Sequence, residues 1–340
     1  MNTGSLRIVF FGTPAFATPS LQALIASPHR VVAVVSQPDR PKGRGHQVQA
    51  TPTKLVAQTH EIPVIQPTKI KDESFHQAIR DLEPDLGVVV AFGRILPDAL
   101  LAIPRLGMIN VHASLLPRYR GAAPIQRAVL AGDAETGVTI MRVITEMDAG
   151  PTFAMGAVPI PPDATSGEME GTLAHLGGSL LLPVVADLAA GRAIETPQDA
   201  SLATHAAKIT KAEGAIDWTA PSAVIHHKVR GLQPWPLAST HLGGTRLVLR
   251  RTAPLGVRSP IRHSEGSGTS ERRIGDLTPD APEAAAPGTV IRAEGDEIVV
   301  ACGDGTALRL LEIQPEGRRT MTAREFVAGR RALHGARFEP

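Results

Sequence analysis

Asn110 and His112 are the residues of this 340-residue chain whose types and spacing most clearly suggest chemistry. They lie two apart in an apolar run that predicts a β-strand at 108–111, so both side chains leave the same face of that strand. An amide and an imidazole at a strand end can donate hydrogen bonds to an oxygen that gains negative charge. A histidine that only satisfies backbone groups at a strand end would show the same pattern.

Asp148 is the third candidate, in a loop at 146–151 that follows a predicted strand at 138–143. A carboxylate beside an imidazole can orient the ring, stabilise its cation and relay protons. An ordinary Asp-Ala-Gly turn is the alternative interpretation. The chain has a single cysteine, Cys302, and so can form neither an internal disulfide nor a thiol cluster for zinc. This cysteine content is typical of proteins from a reducing cytosol.

The elements that must position these residues alternate between strands and helices in the first half of the chain. Apolar strands are predicted at 7–11, 31–35, 62–65, 86–90, 108–111 and 138–143, and helices at 19–26, at 72–82 with Asp72 as N-cap, and from the capping box Thr165–Glu168 to about 190. Strands that are apolar throughout and separated by helices predict an α/β fold with a mostly parallel sheet covered on both faces. Such sheets bind ligands at the carboxyl ends of their strands.

The pattern changes after Gly191, which ends the long helix. Residues 192–208 show little periodicity and are interpreted as a linker, and short strands at 245–250, 288–292, 297–301 and 306–311 predict a small β-barrel or sandwich. The Gly-Asp-Gly sequence at 303–305 predicts a hairpin between two of them. We therefore expect a first domain at 1–191, a linker at 192–208 and a second domain at 209–340. Residues 258–287, rich in Ser, Gly, Pro and charge, are predicted to form a flexible insertion.

Charge and hydropathy narrow the class of protein. Residues 201–340 contain 19 Lys plus Arg and 15 Asp plus Glu, and subtraction from the totals of 35 and 33 leaves 16 and 18 for residues 1–200. The positive sign of the second half suggests an acidic partner, although a mixed solvated surface would give the same count. The apolar run near 180–190 is interrupted by Pro183 and Asp187 and is expected to fall short of a membrane span. No targeting segment is recognised, and we expect a cytoplasmic protein with no membrane partner.

One stretch concentrates positive charge near the amino terminus. Residues 39–54 contain Arg40, Lys42, Arg44, His46 and Lys54 with two glycines, which predicts a mobile cationic loop. Such a loop could reach a nucleic-acid backbone, or it could be a generic basic surface loop.

Several motifs resemble the methionyl-tRNA formyltransferase family over nearly the whole chain, apart from the insertion. They are FGTP at 11–14, QPDRPKGRG at 37–45, NVHASLLP at 110–117, RGAAPIQR at 120–127, GDAETGVT at 132–139, IDW at 216–218 and PWP at 234–236. The resemblance implies a Rossmann-like formyltransferase domain followed by an OB-like β-barrel. It implies transfer of a formyl group from 10-formyltetrahydrofolate to methionyl initiator tRNA.

By the same resemblance, the family's catalytic residues fall on Asn110, His112 and Asp148. Its folate contacts fall on Ser114, Leu115, Leu116 and Pro117 and on a loop with Phe92, Gly93, Arg94, Ile95 and Leu96, and its tRNA contacts on Arg40, Lys42 and Arg44. No metal is implied, because the formyl donor is already activated, and we expect a monomer. The rival hypotheses are a folate-dependent formyltransferase for a small-molecule amine and a folate- or RNA-binding protein without turnover.

Overall fold

The computed structural model describes residues 4–42, 47–255, 285–330 and 333–340, without the side chains of Lys42 and Gln47. The chain divides into two compact units. The first consists of Met1–Ala128 and Asp133–Lys208, and the second of Val129–Gly132 and Ile209–Pro340. Most of the predicted insertion at 258–287 lies outside the described residues.

The first unit contains eleven strands and six helices within its described residues. The strands are β1 (Arg7–Gly12), β2 (Arg30–Val35), β3 (Arg40–Lys42), β4 (Gln47–Gln49), β5 (Val64–Ile65), β6 (Leu86–Val90), β7 (Met108–His112), β8 (Arg120–Gly121), β9 (Glu135–Arg142), β10 (Thr152–Pro159) and β11 (His205–Ala206). The helices are α1 (Thr18–Ile25), α2 (Pro52–Thr59), α3 (Glu73–Arg80), α4 (Asp98–Leu101), α5 (Pro124–Ala131) and α6 (Ser166–Ala189), and the last residues of α5 belong to the second unit.

Seven of these strands form one sheet in the order β10-β9-β7-β6-β1-β2-β5. The five strands from β7 to β5 are parallel, whereas β9 and β10 are antiparallel to their neighbours. The predicted mostly parallel α/β sheet is therefore confirmed. The interior strands β1 and β6 are almost entirely apolar and buried at nearly every residue, because helices cover both faces of the sheet.

One face of the sheet packs on α3 and α4. Val9 and Phe11 of β1 join a buried cluster with Phe75 and Ile79 of α3 and with Leu100 of α4. The predicted helix at 72–82 is confirmed, with narrower bounds. Asp72 occupies its N-cap position, but no side-chain cap bond forms there. The predicted N-cap position of Asp72 is therefore confirmed, and the Asp72 carbonyl accepts from the N–H groups of Phe75 and His76 at 3.1 and 3.2 Å.

The other face of the sheet is covered by α6, which begins with the predicted capping box of Thr165 and Glu168. The expectation that this region falls short of a membrane span was wrong on length and composition, because α6 continues through Pro183 for 24 residues with a mean hydropathy of 1.4 in its most apolar window. Core helices of globular proteins pass the same test. Here Leu173, Gly177 and Leu181 are buried, and α6 contacts α1 and β9.

Residues 192–208 lie along the first unit. Thr196 pairs with Thr152, the first residue of β10, and β11 pairs with β8 in a short parallel ladder. Between these two contacts the chain forms a 3-10 turn at Ala200–Leu202. The segment that the sequence analysis interpreted as a linker thus carries backbone hydrogen bonds to the first unit.

The second unit is built on an antiparallel sheet with two helices. Its strands are β12 (Ala238–Leu242), β13 (Thr245–Leu255), β14 (Val290–Glu294), β15 (Glu297–Ala301), β16 (Ala307–Pro315), β17 (Met321–Thr322) and β18 (Phe338–Glu339), and its helices are α7 (Ser222–Gly231) and α8 (Ala323–Ala328). The strand order is β14-β15-β16-β13-β12-β18, with β17 paired to β16. The predicted hairpin at 303–305 is confirmed, since it joins β15 to β16.

This sheet curls so that its two edges meet. Thr289, just before β14, pairs with Arg337, just before β18, and the Phe338 N–H donates to the Gly288 carbonyl at 2.8 Å. The interior holds Trp218, whose indole N–H donates to the Thr240 hydroxyl at 2.9 Å. This pairing leaves less of the edge strands open, which is one physical advantage of a barrel-like arrangement.

Two glycines of α6 should respond oppositely to alanine. A Cβ at Gly177 would lie 2.7 Å from the Cγ1 atom of the buried Val111, whereas a Cβ at Gly171 would meet nothing within 4 Å. We expect Gly177→Ala to lower the free energy of unfolding by about 1–3 kcal/mol through overpacking. Gly171→Ala should raise it by about 0.5–1 kcal/mol through reduced chain entropy.

Urea unfolding followed by circular dichroism would measure both effects. Tryptophan fluorescence would not serve, because both tryptophans, Trp218 and Trp235, belong to the second unit. Equal shifts of the unfolding midpoint for the two variants would contradict the tight contact of α6 with β7.

Cys302 should be chemically silent in the folded protein. It is buried in the core of the second unit, and burial raises the pKa of its thiol to about 12. Because the thiolate is the reactive form, we expect negligible alkylation by iodoacetamide at mildly alkaline pH and rapid alkylation in concentrated urea. Mass spectrometry after timed quenching would measure this, with Cys302→Ser as the background. Fast modification under native conditions would show that this core opens.

Candidate active site

Asn110 and His112 lie on β7, between the parallel strand β6 and the antiparallel strand β9. His112 is opposite Thr139 of β9, and Asn110 is opposite Met141. Two residues along a strand separate their Cα atoms by roughly 6.6 Å on the same face. The side chain of His112 is almost fully buried, whereas Asn110 is partly exposed. No residue in the described part of the chain hydrogen-bonds the Asn110 side-chain amide, so it is available to a ligand.

The two ring nitrogens of His112 face different partners. Its Nε2 atom lies 3.0 Å from the Tyr119 carbonyl oxygen, which can only accept, so Nε2 carries a proton. Its Nδ1 atom lies 3.7 Å from the Asp148 Oδ2 atom. In the neutral ring Nδ1 would then be an acceptor facing a carboxylate. In the imidazolium, Nδ1 would be a donor on the side of Asp148.

Asp148 is positioned by its own backbone and by one amide. Its φ of 52° lies in the left-handed region that non-glycine residues rarely adopt. Its Oδ2 atom accepts a hydrogen bond from the Gly121 N–H at 2.9 Å. Within the described residues the Oδ1 atom has no hydrogen-bond partner, and the side chain is 15% exposed. The structure thus brings Asp148 to His112, 36 positions earlier in the chain, and leaves one carboxylate oxygen accessible.

The loop predicted to contact folate directly follows β7. Ser114 is buried, and its hydroxyl donates to the Arg118 carbonyl at 2.7 Å. Thr139 of β9 donates to the Ser114 carbonyl at 2.7 Å and accepts from the Leu116 N–H at 3.2 Å. Leu116 is buried, whereas Leu115 and Pro117 are partly exposed. The loop is therefore fixed by internal hydrogen bonds, and Leu115 and Pro117 are the side chains that a ligand could touch.

The second predicted folate loop leaves β6 with Ala91 and Gly93 at positive φ. Phe92 and Leu96 are buried in the core of the unit, so their side chains support the loop from below. Ile95 is 71% exposed, an unusual state for a large apolar side chain. Gly93 is also exposed, and a Cβ there would meet nothing within 4 Å. The loop presents Ile95 and the backbone near Gly93 to a ligand.

Gln37 ties this loop to the end of β2. Its side-chain amide donates to the Phe92 carbonyl at 3.1 Å, and its Oε1 atom accepts from the Arg94 Nε–H at 3.0 Å. The Arg94 guanidinium also donates to the Thr68 carbonyl at 2.9 Å. Arg94, predicted to contact folate, thus uses much of its donor capacity within the protein.

The described residues include only part of the predicted cationic loop. Arg40 is exposed on β3, which pairs with β4 in a short antiparallel ladder. Lys42 ends β3, and its side chain lies outside the described part, as does the whole of Arg44. Lys54 belongs to α2, where its ammonium contacts Asp39 Oδ2 at 2.5 Å and the Gln66 amide oxygen at 3.0 Å. The bond from Lys54, together with one that the Gln66 amide nitrogen donates to Asp39 Oδ1 at 2.7 Å, lowers the pKa of the Asp39 carboxyl.

Three groups near the catalytic candidates escaped the sequence analysis. The Gly121 N–H and the Tyr119 carbonyl are backbone groups, which side-chain patterns do not reveal. Gln198 donates to the Asp148 carbonyl from a segment without periodicity, so no sequence signal marked it. Tyr119 is anchored by its hydroxyl, which donates to Asp133 Oδ2 at 2.8 Å. Burial, together with that carboxylate, raises the pKa of Tyr119 and keeps the hydroxyl protonated.

The described ranges contain no set of residues suited to bind a metal ion. No group of three or more His, Cys, Asp or Glu residues there could hold an ion. The polar groups around Asn110, His112 and Asp148 instead suit general acid–base chemistry and stabilisation of an anionic oxygen.

Comparison with known proteins identifies the family of the chain. Residues 6–185 match the family described as Formyl transferase, and residues 208–331 match the family described as Formyl transferase, C-terminal domain. The chain is 45% identical over 333 residues to the methionyl-tRNA formyltransferase of Methylococcus capsulatus, covering 98% of this chain and 99% of that protein.

Solved structures show the same fold at low sequence identity. An N-formyltransferase from Helicobacter canadensis, in complex with folinic acid and dTDP-3-aminofucose, is 15% identical with a TM-score of 0.63, covering 90% of this chain and 98% of that one. HypX from Aquifex aeolicus in complex with tetrahydrofolic acid is 16% identical with a TM-score of 0.58. That match covers 95% of this chain and 47% of HypX, so the chain spans about half the length of HypX.

The likeness to these solved structures shows a shared fold, whereas the 45% identity over nearly the whole of both chains is to a methionyl-tRNA formyltransferase. Because the two Formyl transferase family models match one after the other along the chain, and the identity to this relative extends over nearly all of it, the chain belongs to the methionyl-tRNA formyltransferase family.

Proposed function

We propose that this protein transfers the formyl group of 10-formyltetrahydrofolate to the amino group of methionyl initiator tRNA, giving N-formylmethionyl-tRNA. The observation that carries the proposal is full-length identity of 45% to an enzyme of that name. The residues around His112 provide the groups that the reaction needs. They are the His112 ring, the Asp148 carboxylate and the Asn110 amide, which has no partner among the described residues.

The residues near β6 and β7 are suited to the folate. A pterin is flat, apolar on its faces and polar on its edges. The exposed Ile95 offers an apolar surface, and the exposed backbone beside Gly93 offers groups for hydrogen bonds to a polar edge. Leu115 and Pro117 add a second apolar surface next to Asn110 and His112. Phe92, Ser114 and Leu116 act from within the protein, because their side chains are buried.

Asn110 and His112 stabilise the negative charge that develops on the formyl oxygen during attack by the amine. 10-Formyltetrahydrofolate supplies a formyl group that is already activated on N10. Asn110 donates a side-chain N–H that has no partner in the described residues. His112 donates through Nδ1, because Nε2 is bound to the Tyr119 carbonyl. One such donor typically lowers the barrier by roughly 3 kcal/mol.

Asp148 moves the proton. The attacking nitrogen must lose one proton while N10 must gain one as its bond to the formyl carbon breaks. Oδ2 is engaged by the Gly121 N–H, so Oδ1 takes the proton, directly or through a held water. The negative charge of Asp148 also stabilises the His112 imidazolium.

Cationic side chains in both units suit an RNA substrate. Arg40 is exposed on β3, and Lys42 and Arg44 follow it in the same basic segment. The second unit adds arginines near its carboxyl end, but several are engaged: Arg319 pairs with Glu325 at 2.7 Å, and Arg330 lies over the Phe326 ring. Phosphate contacts therefore fall to cations such as Arg40, which has no acidic partner among the described residues. We also propose a cytoplasmic monomer, in keeping with the expectations from the sequence.

A small-molecule amine is the rival acceptor. The fold is shared with sugar-nucleotide formyltransferases, but at 15% identity that likeness extends to the fold alone. Incubation with 10-formyltetrahydrofolate and, in parallel, charged initiator tRNA, glycinamide ribonucleotide or an amino-sugar nucleotide separates the acceptors. Formylation of a small amine in preference to the tRNA would refute the proposed acceptor.

Asp148→Asn should abolish most turnover without unfolding the protein. The amide oxygen of asparagine can still accept from the Gly121 N–H, but an amide cannot take a proton from the amine. We expect kcat to fall by about 10²–10⁴-fold at saturating substrates. Asp187→Asn is the matched control, because Asp187 forms an exposed ion pair with Arg192. Near-normal turnover of a folded Asp148→Asn variant would remove Asp148 from the mechanism.

A higher salt concentration should weaken the binding of the charged tRNA but not the binding of the folate. Phosphate contacts release counterions, so kcat/KM for the charged tRNA should fall steeply as salt rises, while KM for the folate should change little. Arg40→Ala should reduce the slope of log(kcat/KM) against log[salt] by about 1. Arg192→Ala, which removes an arginine paired with Asp187, is the control. A slope that is unchanged by Arg40→Ala would exclude this arginine from the RNA contact.

A further inference from the structure

The backbone at Asp148 needs support from outside its own turn. Its φ of 52° is strained for a residue with a side chain. Within residues 146–151 the turn contributes one backbone bond near this residue, from the Ala149 N–H to the Glu146 carbonyl at a long 3.4 Å. Strained backbone persists at functional sites when neighbouring groups over-determine it. The groups that hold Asp148 therefore decide where its carboxylate lies.

Gln198 supplies that support from a distant part of the same unit. Its side-chain amide nitrogen donates to the Asp148 carbonyl at 2.9 Å and to the Gly150 carbonyl at 2.7 Å. Both amide hydrogens are thus used on the two carbonyls that flank Ala149. A single planar group that grips two carbonyls of one turn fixes the turn's orientation, because neither bond can be kept if the turn rotates.

The other end of the Gln198 amide is fixed as well. Its Oε1 atom accepts from Arg120 twice, from Nε at 3.1 Å and from Nη2 at 2.9 Å. Arg120 belongs to β8, and the next residue, Gly121, donates its N–H to the Asp148 carboxylate. Gln198 therefore connects β8, whose Gly121 N–H binds the Asp148 carboxylate, to the backbone of Asp148 itself.

The chain that follows Gln198 fixes the partner of His112 in the same way. The Thr204 hydroxyl accepts from the Tyr119 N–H at 2.8 Å, and the Thr204 carbonyl accepts from the Arg120 N–H at 2.9 Å. Tyr119 itself has a φ of 61°. Its carbonyl is the acceptor for His112 Nε2, so Thr204 holds the residue that sets the histidine tautomer.

We propose that Gln198 is a positioning residue that holds the Asp148 carboxylate at reacting distance from His112. This inference rests on the proposed function and goes beyond it, because Gln198 does not touch the reacting atoms. Thr204 acts in the same segment on the histidine side. Residues 196–206 thus hold the backbone segments that position both His112 and Asp148.

Gln198→Glu tests the proposal with almost no change of shape. Glutamate keeps an oxygen for Arg120 but replaces both donors to the Asp148 turn by an acceptor, which repels the two carbonyls. Displacement of a reacting group by about 1 Å can cost 10²-fold in rate, so we expect kcat to fall by about 10–100-fold. KM for 10-formyltetrahydrofolate and for the charged tRNA should stay within about twofold, because no binding contact is lost.

Asp199→Asn is the matched control, with the reverse exchange at the next position. The Asp199 carboxylate accepts only from Ser201 within the described residues, at 2.9 Å from its N–H and 2.7 Å from its hydroxyl, and asparagine can keep these bonds. Its kcat should equal that of the unmodified protein. Gln198→Met, an apolar side chain of similar length, provides a second variant should the glutamate fail to fold, with the same expected loss of kcat.

The outcomes separate this inference from the proposed function. Absence of formyl transfer by the unmodified protein would overturn the function itself. An active protein whose folded Gln198 variants keep their kcat would overturn the positioning role. A rise in KM at constant kcat would also overturn it, because that split indicates a substrate contact. A selective loss of kcat, with an unchanged unfolding midpoint, supports the proposal.

Discussion

The contact between His112 and Asp148 is the interaction on which the site depends. An imidazole can be a donor, an acceptor or a cation, and its neighbours select among these states. Here the Tyr119 carbonyl fixes a proton on Nε2, and the Asp148 carboxylate faces Nδ1 at 3.7 Å. The two ring nitrogens therefore have different partners, a carbonyl for Nε2 and a carboxylate for Nδ1. Without both neighbours the same histidine would have no defined role.

The sheet provides the rigidity that this contact requires. β7 is an interior strand, so its backbone is fixed by β6 on one side and β9 on the other. Thr139 of β9 extends this control beyond the end of β7 by hydrogen bonds to Ser114 and Leu116. The polar site thus begins where an apolar, well-packed strand ends. This arrangement allows catalytic groups to be held within fractions of an ångström, which proximity effects demand.

The partners of the catalytic candidates are largely backbone groups. A carbonyl and an N–H hold His112 and Asp148, and the side chains of Gln198 and Thr204 hold that backbone in turn. Backbone partners are insensitive to the identity of their residue but very sensitive to its conformation. The site therefore depends on the path of residues 119–121 and 196–206 as much as on the reacting side chains.

The second unit follows a different physical rule. Its curled sheet buries a core around Trp218 and Cys302 and pairs its edge strands with each other. Several charged side chains on the surface of this unit, such as Arg319, are paired with acidic neighbours. The net positive count of this half of the chain consequently overstates the number of cations free to meet a polyanion.

Periodicity in the sequence determined most of the first unit. Strands β1, β2, β6, β7 and β9 and helices α1, α3 and α6 could be predicted because burial on one or both faces imposes an apolar pattern with a fixed period. The spacing of Asn110 and His112 placed both on one strand face for the same reason. Short elements such as β8 and β11 could not be predicted, because two-residue strands carry no period.

Only the tertiary structure decided how the site is assembled. Asp148 lies 36 residues from His112, and Gln198 a further 50 residues along the chain, so their contacts depend on chain topology and not on local pattern. The left-handed backbone of Asp148 and Tyr119 was equally hidden, since neither residue type signals it. Sequence names the groups that can react. The packed fold alone fixes which nitrogen faces which oxygen, because hydrogen-bond direction is a property of distances and angles between distant segments.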